Sequence, residues 1–402
     1  MGLRDALTNP ALLALDGKLV KLTASASSWT IAEVTPEEAQ AWWDAHAPPS
    51  VTLPSADLSV TTLADVQDVT PDPTGTETLR GNLARAITIY GGKAAHYSVL
   101  VKTPGVPIRP AFVVPIYFYD KWMRDNGFYD RVTAMLADPT FVADPATRDA
   151  QLAQLRADML VAPMDASLVA QLEAKVAGGF AQYPKLKFRS SSNSEDLEGF
   201  PCAGCYDSFA GKTSDTNDML TAIRRVWASA WEFRTFELRA YYKVPHDAVG
   251  VAVLCHQMFQ NEDANGIAIT ANPFDASGLD PAYYVNVQFG GDVEVVAPPA
   301  GTTSDQFLYY FSQPNQPISF IAHSNLIPAG TTVLTAAQTY ELGQALEKIH
   351  ARFSPAYGPA AGNTGWYALE VDIKFTNEDD PSKVPHLYIK QARWYPDRNG
   401  GQ

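Results

Sequence analysis

One polar stretch in the middle of the chain constrains the fold most. It runs from Phe188 to Ser208. Its second residue, Arg189, is followed by three serines, an asparagine and a further serine. Arginine offers a planar fork of donors that fits phosphate oxygens, and serine hydroxyls with glycine-freed backbone N–H groups can surround the remaining oxygens. This composition favours a polyphosphate site at the end of a strand and suits a hydrophobic core poorly.

Length and charge set the broad class. The chain has 402 residues, with 46% hydrophobic and 18% charged residues, which is typical of a folded protein of two or three domains. Its net charge of −14 disfavours nucleic-acid backbones and anionic membranes, so we expect neither as a partner. An anionic ligand must therefore be held by locally placed lysines and arginines.

The three cysteines are Cys202, Cys205 and Cys255. This low, odd count predicts no disulfide framework and fits a reducing compartment. Cys202 and Cys205 form a C-x-x-C without the second pair that a four-cysteine zinc site needs, which leaves a redox pair as an alternative. No apolar run reaches the roughly 18 residues of a membrane span, and the N-terminus lacks the pattern of a secretion signal. We expect a cytoplasmic protein.

The chain divides into three predicted segments. Residues 1–84 form an N-terminal extension, in which two strands precede a helix that starts with a capping box at Thr35, and a linker follows from Pro48 to Thr78. Residues 85–200 and 201–402 mix helices and strands. Alternation and helical periodicity predict strands at 84–90, 110–115, 249–258, 266–270, 283–289, 367–375 and 386–393, and helices within 145–180, 218–242 and 336–353.

Gly91-Gly92-Lys93 follows the first of these strands and is predicted to open a helix. A lysine at that place can reach phosphate as a mobile point charge. The spacing of a Walker loop is missing, and an exposed lysine after a glycine turn would explain the same residues.

The C-terminal strands carry a second group. Glu370 and Asp372 lie two residues apart on one face of a strand, and so do Gln391 and Arg393 on the last strand. If the strands pair, two carboxylates, an amide oxygen and an arginine converge, which favours a Mg²⁺ site beside a phosphoryl group. A cross-strand salt bridge on a solvated face is the alternative.

Taken together the motifs resemble the ATP-grasp nucleotide-binding domain of pyruvate phosphate dikinase, phosphoenolpyruvate synthase and glucan water dikinase. The blocks that carry the resemblance occur in the family's order over residues 84–396: Gly91–Ala95, Val106-Pro107 with Ala111–Pro115, Arg189–Ser191 through Glu195-Asp196-Leu197, Gly204–Ser208, Val226–Ser229 with Arg234 and Arg239, Gln257-Met258, Gly266–Pro273 and Leu387–Arg393. The resemblance implies an α+β ATP-grasp fold of two lobes, 85–200 and 201–402, with the nucleotide bound between them and the metal site in the second lobe.

The resemblance also implies the roles of single residues. Lys93, Arg189 and Arg393 would act on the phosphates as catalytic residues. Glu370, Asp372 and Gln391 would hold Mg²⁺. The nucleotide would be bound by Lys93, Arg189, Ser190, Arg234 and Arg239, by a glycine lid of Gly204, Tyr206, Asp207 and Ser208, and by Gln257 and Met258 at the adenine pocket.

Three departures from the family pattern stand out. The family usually has Asp then Glu where this chain has Glu370 then Asp372, and it has an arginine where this chain has Ala271. The dikinases also pass phosphate to a histidine on a separate swivelling domain, and no such histidine loop occurs here. A separate phosphohistidine-domain protein is therefore a possible partner.

The expected function is ATP- and Mg²⁺-dependent phosphotransfer of dikinase type to an acceptor that the sequence does not name. One alternative is an ATP-grasp ligase that acts through an acyl phosphate. The other is a non-catalytic nucleotide-binding module or one component of a split dikinase.

Overall fold

Two compact units make up the chain: residues 1–51 with 241–243, and residues 52–240 with 244–402. The computed structural model describes residues 9–25, 28–195, 200, 202, 204–259, 261–275, 277–291, 295, 298–358, 366–378, 380 and 382–395. Asp196 and Leu197, which belong to the polar motif, lie outside the described residues.

The first unit is a hairpin with two helices. Its elements are α1 (Pro10–Leu13), β1 (Val20–Ala24), β2 (Trp29–Glu33) and α2 (Pro36–His46), and β1 and β2 pair antiparallel. The predicted capping box is present, since Thr35 Oγ1 accepts from Glu38 N at 3.2 Å and Glu38 Oε2 accepts from Thr35 N at 3.1 Å. None of the described residues of this unit is buried, so it has no hydrophobic core of its own.

The second unit holds the remaining elements. Its helices are α3 (Leu79–Val101), α4 (Ile116–Asp125), α5 (Phe128–Ala137), α6 (Pro139–Ala143), α7 (Pro145–Val161), α8 (Ala166–Gly179), α9 (Thr216–Ser229), α10 (Phe233–Tyr241) and α11 (Ala336–Tyr357). Its strands are β3 (Ala64–Asp65), β4 (Ala111–Val114), β5 (Lys185–Ser192), β6 (Ser208–Lys212), β7 (Val251–Gln257), β8 (Glu262–Ile269), β9 (Tyr283–Phe289), β10 (Asp305–Tyr309), β11 (Ile318–Ala322), β12 (Ala368–Thr376) and β13 (His386–Tyr395).

The strands of the second unit form two antiparallel sheets. The five-stranded sheet has the order β3-β4-β7-β5-β6, and the six-stranded sheet has the order β11-β10-β9-β8-β12-β13. Helix α3 packs against β5 and β7 of the first sheet and against β13 of the second, and α11 packs against α3. The fold is therefore α+β, as predicted, with one long helix touching both sheets.

Residues 84–90 are helical, which corrects the strand predicted there. Leu79, Leu83, Ala86 and Tyr90 are all buried and recur at helical spacing, and Thr78 caps the helix by accepting from Gly81 N at 3.1 Å. The run Ala84–Tyr90 alternates over too short a window to reveal this longer period.

Helix α3 bends sharply at Gly91, where φ is +75°. The bend opens the backbone bond that would join Ala94 N to Tyr90 O. The hydroxyl of Ser191 on β5 takes its place, since it accepts from Ala94 N at 2.9 Å and donates to Tyr90 O at 2.7 Å. The kink therefore fixes the start of the Lys93 helix directly against the polar strand.

Two other predicted elements differ from the structure. The single helix expected over Asp218–Tyr242 is two helices, α9 and α10, interrupted near Trp231. The expected linker is structured in part, because Val66 and Val69 are buried and Thr70 Oγ1 donates to Ala95 O at 2.9 Å. The Pro- and Thr-rich composition of this segment did not indicate that Val66, Val69 and Thr70 are buried.

None of the described helices is both long and apolar enough to cross a bilayer.

Gly91→Ala should lower the free energy of unfolding by about 3 kcal/mol, because a Cβ would lie 2.1 Å from Ser191 O and the positive φ is strained for any other residue. Chemical denaturation followed by circular dichroism measures this loss. Gly178→Ala in α8 is the matched control, since a Cβ there meets nothing within 4 Å. Equal losses in the two variants would contradict this account of the kink.

Candidate functional site

Arg189 joins the two sheets. It lies on β5 and is 6% exposed. Its Nη1 donates to the carbonyl oxygen of Lys390 at 2.7 Å and its Nη2 donates to Gln391 Oε1 at 2.6 Å, both on β13. Nη2 also lies 3.9 Å from Asp372 Oδ2 on β12. The fixed fork of the guanidinium allows it to hold these groups together.

Strands β12 and β13 pair as the sequence analysis expected. Glu370 lies opposite Arg393 and Asp372 lies opposite Gln391, so the four side chains share one face. The Glu370 carboxylate forms an ion pair with the Arg393 guanidinium, and the two side chains are 15% and 21% exposed. The cross-strand salt bridge considered as the alternative is therefore present, although its two side chains are partly buried rather than fully solvated.

A bulge in β13 shapes this face. The register shifts after Asp372, because Asp372 pairs with Gln391 whereas Ile373 pairs with Ile389. Lys390 is the extra residue, and a bulged residue is left outside the regular ladder. Its carbonyl oxygen accepts the bond from Arg189.

Positive charge is in excess beside the bulge. Lys187 and Arg189 alternate onto the same face of β5, and Lys374 is paired with Glu262. Burial and the Arg189 charge lower the pKa of Lys187, and they lower the pKa of Lys390 to about 8. Within the described ranges, neither of these lysines has a carboxylate within 4 Å. In a chain of net charge −14, this cluster is a candidate anion subsite.

Lys93 contacts the same strand as Arg189, β5, through Ser190. Its Nζ donates to Ser190 Oγ at 3.0 Å and forms a buried ion pair with Glu195, whose Oε2 accepts from Ser192 N at 3.0 Å. The charge of Lys93 is thus compensated by Glu195 within the protein. The lysine is not the exposed residue that the alternative interpretation of Gly91-Gly92-Lys93 required.

The serine stretch is buried, which corrects the expectation that its composition suits a core poorly. Residues 190–194 are fully buried, and their polar groups form hydrogen bonds within the protein. Ser192 Oγ lies 3.0 Å from Ser194 Oγ, which in turn lies 2.7 Å from the Tyr206 hydroxyl. These hydroxyls hold β5 in place, and only Ser190 Oγ adjoins Lys93.

Gln257 ends β7 and Met258 follows it, beside an arginine that the sequence analysis did not single out. Arg109 Nη1 donates to Gln257 Oε1, and its guanidinium carbon lies 4.8 Å and 4.4 Å from the ring centres of Phe259 and Tyr388. Met258 N donates to Lys185 O at 3.1 Å. Arg109 Nη1 also lies 3.6 Å from Glu378 Oε1, so the guanidinium is surrounded by two aromatic rings, an amide and a carboxylate.

His256 lies under the same end and is 1% exposed. Its Nδ1 is 2.7 Å from the carbonyl oxygen of Gln257, which can only accept, so the proton is on Nδ1. Burial and the Arg189 charge lower the pKa of His256 to about 3, which keeps the ring neutral. Nε2 is therefore an acceptor, and it has no partner among the described residues.

Of the remaining predicted residues, Ser208 adjoins this group and the others have different partners. Gly204 has φ +74°, Tyr206 is buried, and Asp207 accepts from Arg234 Nη2 at 3.0 Å; Ser208 begins β6 opposite Arg189. Arg239 is fully buried, donates from Nε to His246 Nδ1 at 3.2 Å and contacts Trp231. Neither Arg234 nor Arg239 contacts Lys93 or Arg189 in the structure.

A disulfide joins Cys202 to Cys205 beside this loop. Their Cα atoms are 5.1 Å apart, which is within the range that a disulfide permits. The sequence analysis expected no disulfide framework and left a redox pair at this C-x-x-C as an alternative, and the observed bond is the one that this spacing allows.

Mg²⁺ is the metal that the resemblance implies, and the donor set fits it. Hard divalent cations bind carboxylate oxygens and keep waters and phosphate oxygens as further ligands. Glu370 and Asp372 place two carboxylates on one face, but Glu370 is ion-paired with Arg393 and Gln391 Oε1 is engaged by Arg189, so a metal would take over bonds that these groups now make. Among the described residues no three His, Cys, Asp or Glu side chains cluster as a complete metal cage.

Residues 87–351 match the family described as "Pyruvate phosphate dikinase, AMP/ATP-binding domain". The chain belongs to this family. The match confirms the family expected from the sequence and, with it, an AMP/ATP-binding domain. The matched range includes Lys93 and Arg189, whereas β12 and β13 lie C-terminal to it.

Curated relatives cover part of the chain. A probable phosphoenolpyruvate synthase of Methanothermobacter thermautotrophicus is 30% identical over 192 residues, 46% of this chain and 27% of that protein. Another from Staphylothermus marinus is 24% identical over 216 residues, 52% of this chain and 25% of that protein. A rifampicin phosphotransferase of Streptomyces sp is 27% identical over 193 residues, 47% of this chain and 22% of that protein. The chain thus spans about a quarter of these relatives.

Among solved structures, D-alanyl-alanine synthetase A from Vibrio cholerae O1 biovar eltor str. N16961 matches 58% of this chain and 48% of its own, at 9% identity. The TM-score is 0.23, which is too low to carry an argument about this chain.

Sequence reasoning missed Lys187, Lys390, Arg109 and Glu195 as members of the site. The alternation of β5 gave a usable signal for Lys187, which lies two residues before Arg189. No sequence signal indicated Lys390, because in a regular strand its side chain would point to the face opposite to that of Gln391. The bulge removes this alternation. The partners of Arg109 and Glu195 are long-range contacts.

Lys390→Met should weaken ATP binding about tenfold or more, because it removes a half-buried cation that lacks a carboxylate partner. Isothermal titration calorimetry with a non-hydrolysable ATP analogue measures the change. Lys383→Met is the control, since Lys383 is 56% exposed and lies 3.9 Å from Asp380. An unchanged affinity in Lys390→Met would remove this lysine from the anion subsite.

Proposed function

We propose that the protein is an ATP- and Mg²⁺-dependent phosphotransferase of dikinase type, with ATP bound between the two sheets. One observation carries the proposal: Arg189 of one sheet meets Asp372, Gln391 and the Lys390 bulge of the other, with the Glu370–Arg393 pair on the same face. Cations for the phosphates and carboxylates for a metal thus share one space.

In this proposal each charged group has a separate task. Arg189, Lys390 and Lys187 would bind phosphate oxygens, and Arg393 would stabilise charge on the transferring phosphoryl group. Glu370 and Asp372, with Gln391, would hold Mg²⁺, which when bound neutralises charge on the phosphates. The nucleobase would lie toward Gln257, Met258 and Arg109.

Lys93 requires a change of partner to act on ATP. Its ammonium is bound to the buried Glu195 carboxylate. To hold a phosphate it would exchange Glu195 for a phosphate oxygen, or share its hydrogens between the two. The Gly204–Ser208 segment would lie over the same phosphates, as the family's glycine lid does.

The acceptor is a separate question. The relatives are named for phosphoenolpyruvate synthesis and for rifampicin phosphotransfer, which are different acceptor chemistries. By analogy the acceptor here would be a small molecule or a histidine on a separate phosphohistidine-domain protein. Release of AMP and phosphate, rather than ADP, would mark dikinase chemistry.

A nucleotide-binding module without turnover is the second candidate. The ion pair between Lys93 and Glu195 favours it, because a compensated lysine contributes less to phosphate transfer than a free one. Tight ATP binding without release of ADP or AMP across an acceptor panel would decide for it.

Asp372→Asn should reduce Mg²⁺-dependent ATP turnover about 100-fold, because the amide cannot supply the negative charge that a metal needs. The fold should be kept, since the closest cation to this carboxylate is 3.9 Å away. Product analysis by phosphorus NMR and a thermal melt measure both quantities. Asp149→Asn, on an exposed position of α7, is the matched control. Wild-type turnover in Asp372→Asn would contradict the metal assignment.

A further inference from the structure

His256 is a buried polar side chain to which the proposed function gives no task. It is 1% exposed, and its Nε2 has no hydrogen-bond partner among the described residues. Its Nδ1 donates to the carbonyl oxygen of Gln257 at 2.7 Å, so Nε2 carries a lone pair and can only accept. A buried acceptor without a donor is unfavourable, and a ligand that brings a donor recovers this free energy.

The His256 side chain faces the space between the two sheets. Lys187 lies directly opposite it on β5, and Arg189, two residues along that strand, shares the face and reaches β13. The rings of His256, Phe259 and Tyr388 form a series from β7 to β13, with successive centroids 5.9 Å and 5.7 Å apart. The His256 ring therefore borders the space in which the proposed function puts the nucleotide.

The acceptors beside His256 already have donors within the protein. Gln257 accepts from His256 Nδ1 with its carbonyl oxygen and from Arg109 Nη1 with its Oε1. The carbonyl oxygen of Lys185 accepts from Met258 N at 3.1 Å. A donor on a nucleobase at this end of β7 would therefore find its unoccupied acceptor at His256 Nε2.

The charged neighbours of this acceptor are cations. Burial and the charges of Arg189, Lys390 and Arg109 lower the pKa of His256 to about 3, so the ring is neutral at pH 7. Cationic side chains bind phosphate oxygens but have no acceptor for the amino group of a base. A neutral acceptor among them is complementary to a ligand that joins an amino-bearing ring to an anionic chain.

We propose that His256 selects the nucleobase, with Nε2 accepting a hydrogen bond from the exocyclic 6-amino group of adenine. This inference rests on the proposed function, because it requires a purine nucleotide between the sheets. A 6-oxo purine would present a carbonyl oxygen to the same lone pair, and two acceptors repel each other. Because the His256 ring is 1% exposed, entry of the base requires displacement of a neighbouring side chain, such as the Phe259 ring.

Three triphosphates with different groups at position 6 of the purine test this assignment: ATP with an amino group, purine riboside triphosphate with a hydrogen, and ITP with an oxo group. Calorimetry on the full chain with Mg²⁺ and non-hydrolysable analogues of the three gives their affinities. We expect purine riboside triphosphate to bind about tenfold more weakly than ATP, and ITP about 30-fold more weakly or worse. Equal affinities for the ATP and purine riboside analogues would show that water satisfies Nε2 and would overturn the proposal.

Two variants separate base selection from a structural role. His256→Leu should lower the affinity for ATP about tenfold and leave that for purine riboside triphosphate nearly unchanged, because only the amino group loses its partner. In His256→Gln the side-chain amide can offer either its oxygen or its NH₂ group, so the affinity for ITP should approach that for ATP. A purely structural role of His256 would change all three affinities by the same factor.

Cys255→Ala is the matched control. Cys255 is buried on the same strand and lies opposite Phe112 and Phe188 on the other face of the sheet, so this variant should keep the wild-type ratios of the three affinities. Absence of binding by all three analogues would refute the proposed function and, with it, the base site. Binding whose ratios neither His256→Leu nor His256→Gln alters would retain the nucleotide site and reject His256 as the residue that selects the base.

Discussion

The bridge made by Arg189 is the interaction on which the arrangement of the site depends. One guanidinium on β5 holds a backbone carbonyl and an amide side chain on β13 and lies near a carboxylate on β12. Lysine could not replace it, because a single ammonium lacks the planar fork that reaches two acceptors at once. The bulge at Lys390 supplies the accepting carbonyl, so the irregularity in one strand and the arginine on another are parts of one structure.

Buried polar groups give this region its order. The hydroxyl of Ser191 repairs the interrupted helix at Gly91, and Glu195 compensates Lys93 beside Ser190. Each group is satisfied by a partner far away in the chain, and removal of one partner leaves the other buried without a bond. The same network places several cations around a space in a protein of net charge −14. This contrast explains how an acidic chain can hold an anion.

The parts of the candidate site that depend on local sequence patterns were predictable, and the parts that depend on long-range packing or on irregular backbone were not. The shared face of Glu370, Asp372, Gln391 and Arg393 could be predicted because strand alternation places residues two apart on one face, whatever the rest of the fold does. The strand expected at 84–90 was wrong because its buried residues follow a helical period that begins earlier, at Leu79. Lys390 was missed because a bulge reverses the orientation that regular alternation assigns.

The sequence by itself determined the chemical inventory of the site and the family order of its motifs, since residue types and spacings along a strand are local properties. It also determined the capping box at Thr35 and the α+β class. Only the tertiary structure decided which charges compensate one another: Lys93 with Glu195, Glu370 with Arg393, and Arg189 with β13. Lys93 and Glu195 are 102 positions apart, Arg189 and Gln391 are 202 apart, and Glu370 and Arg393 are 23 apart on neighbouring strands. No local pattern records a partner that is chosen by how the sheets and helices pack.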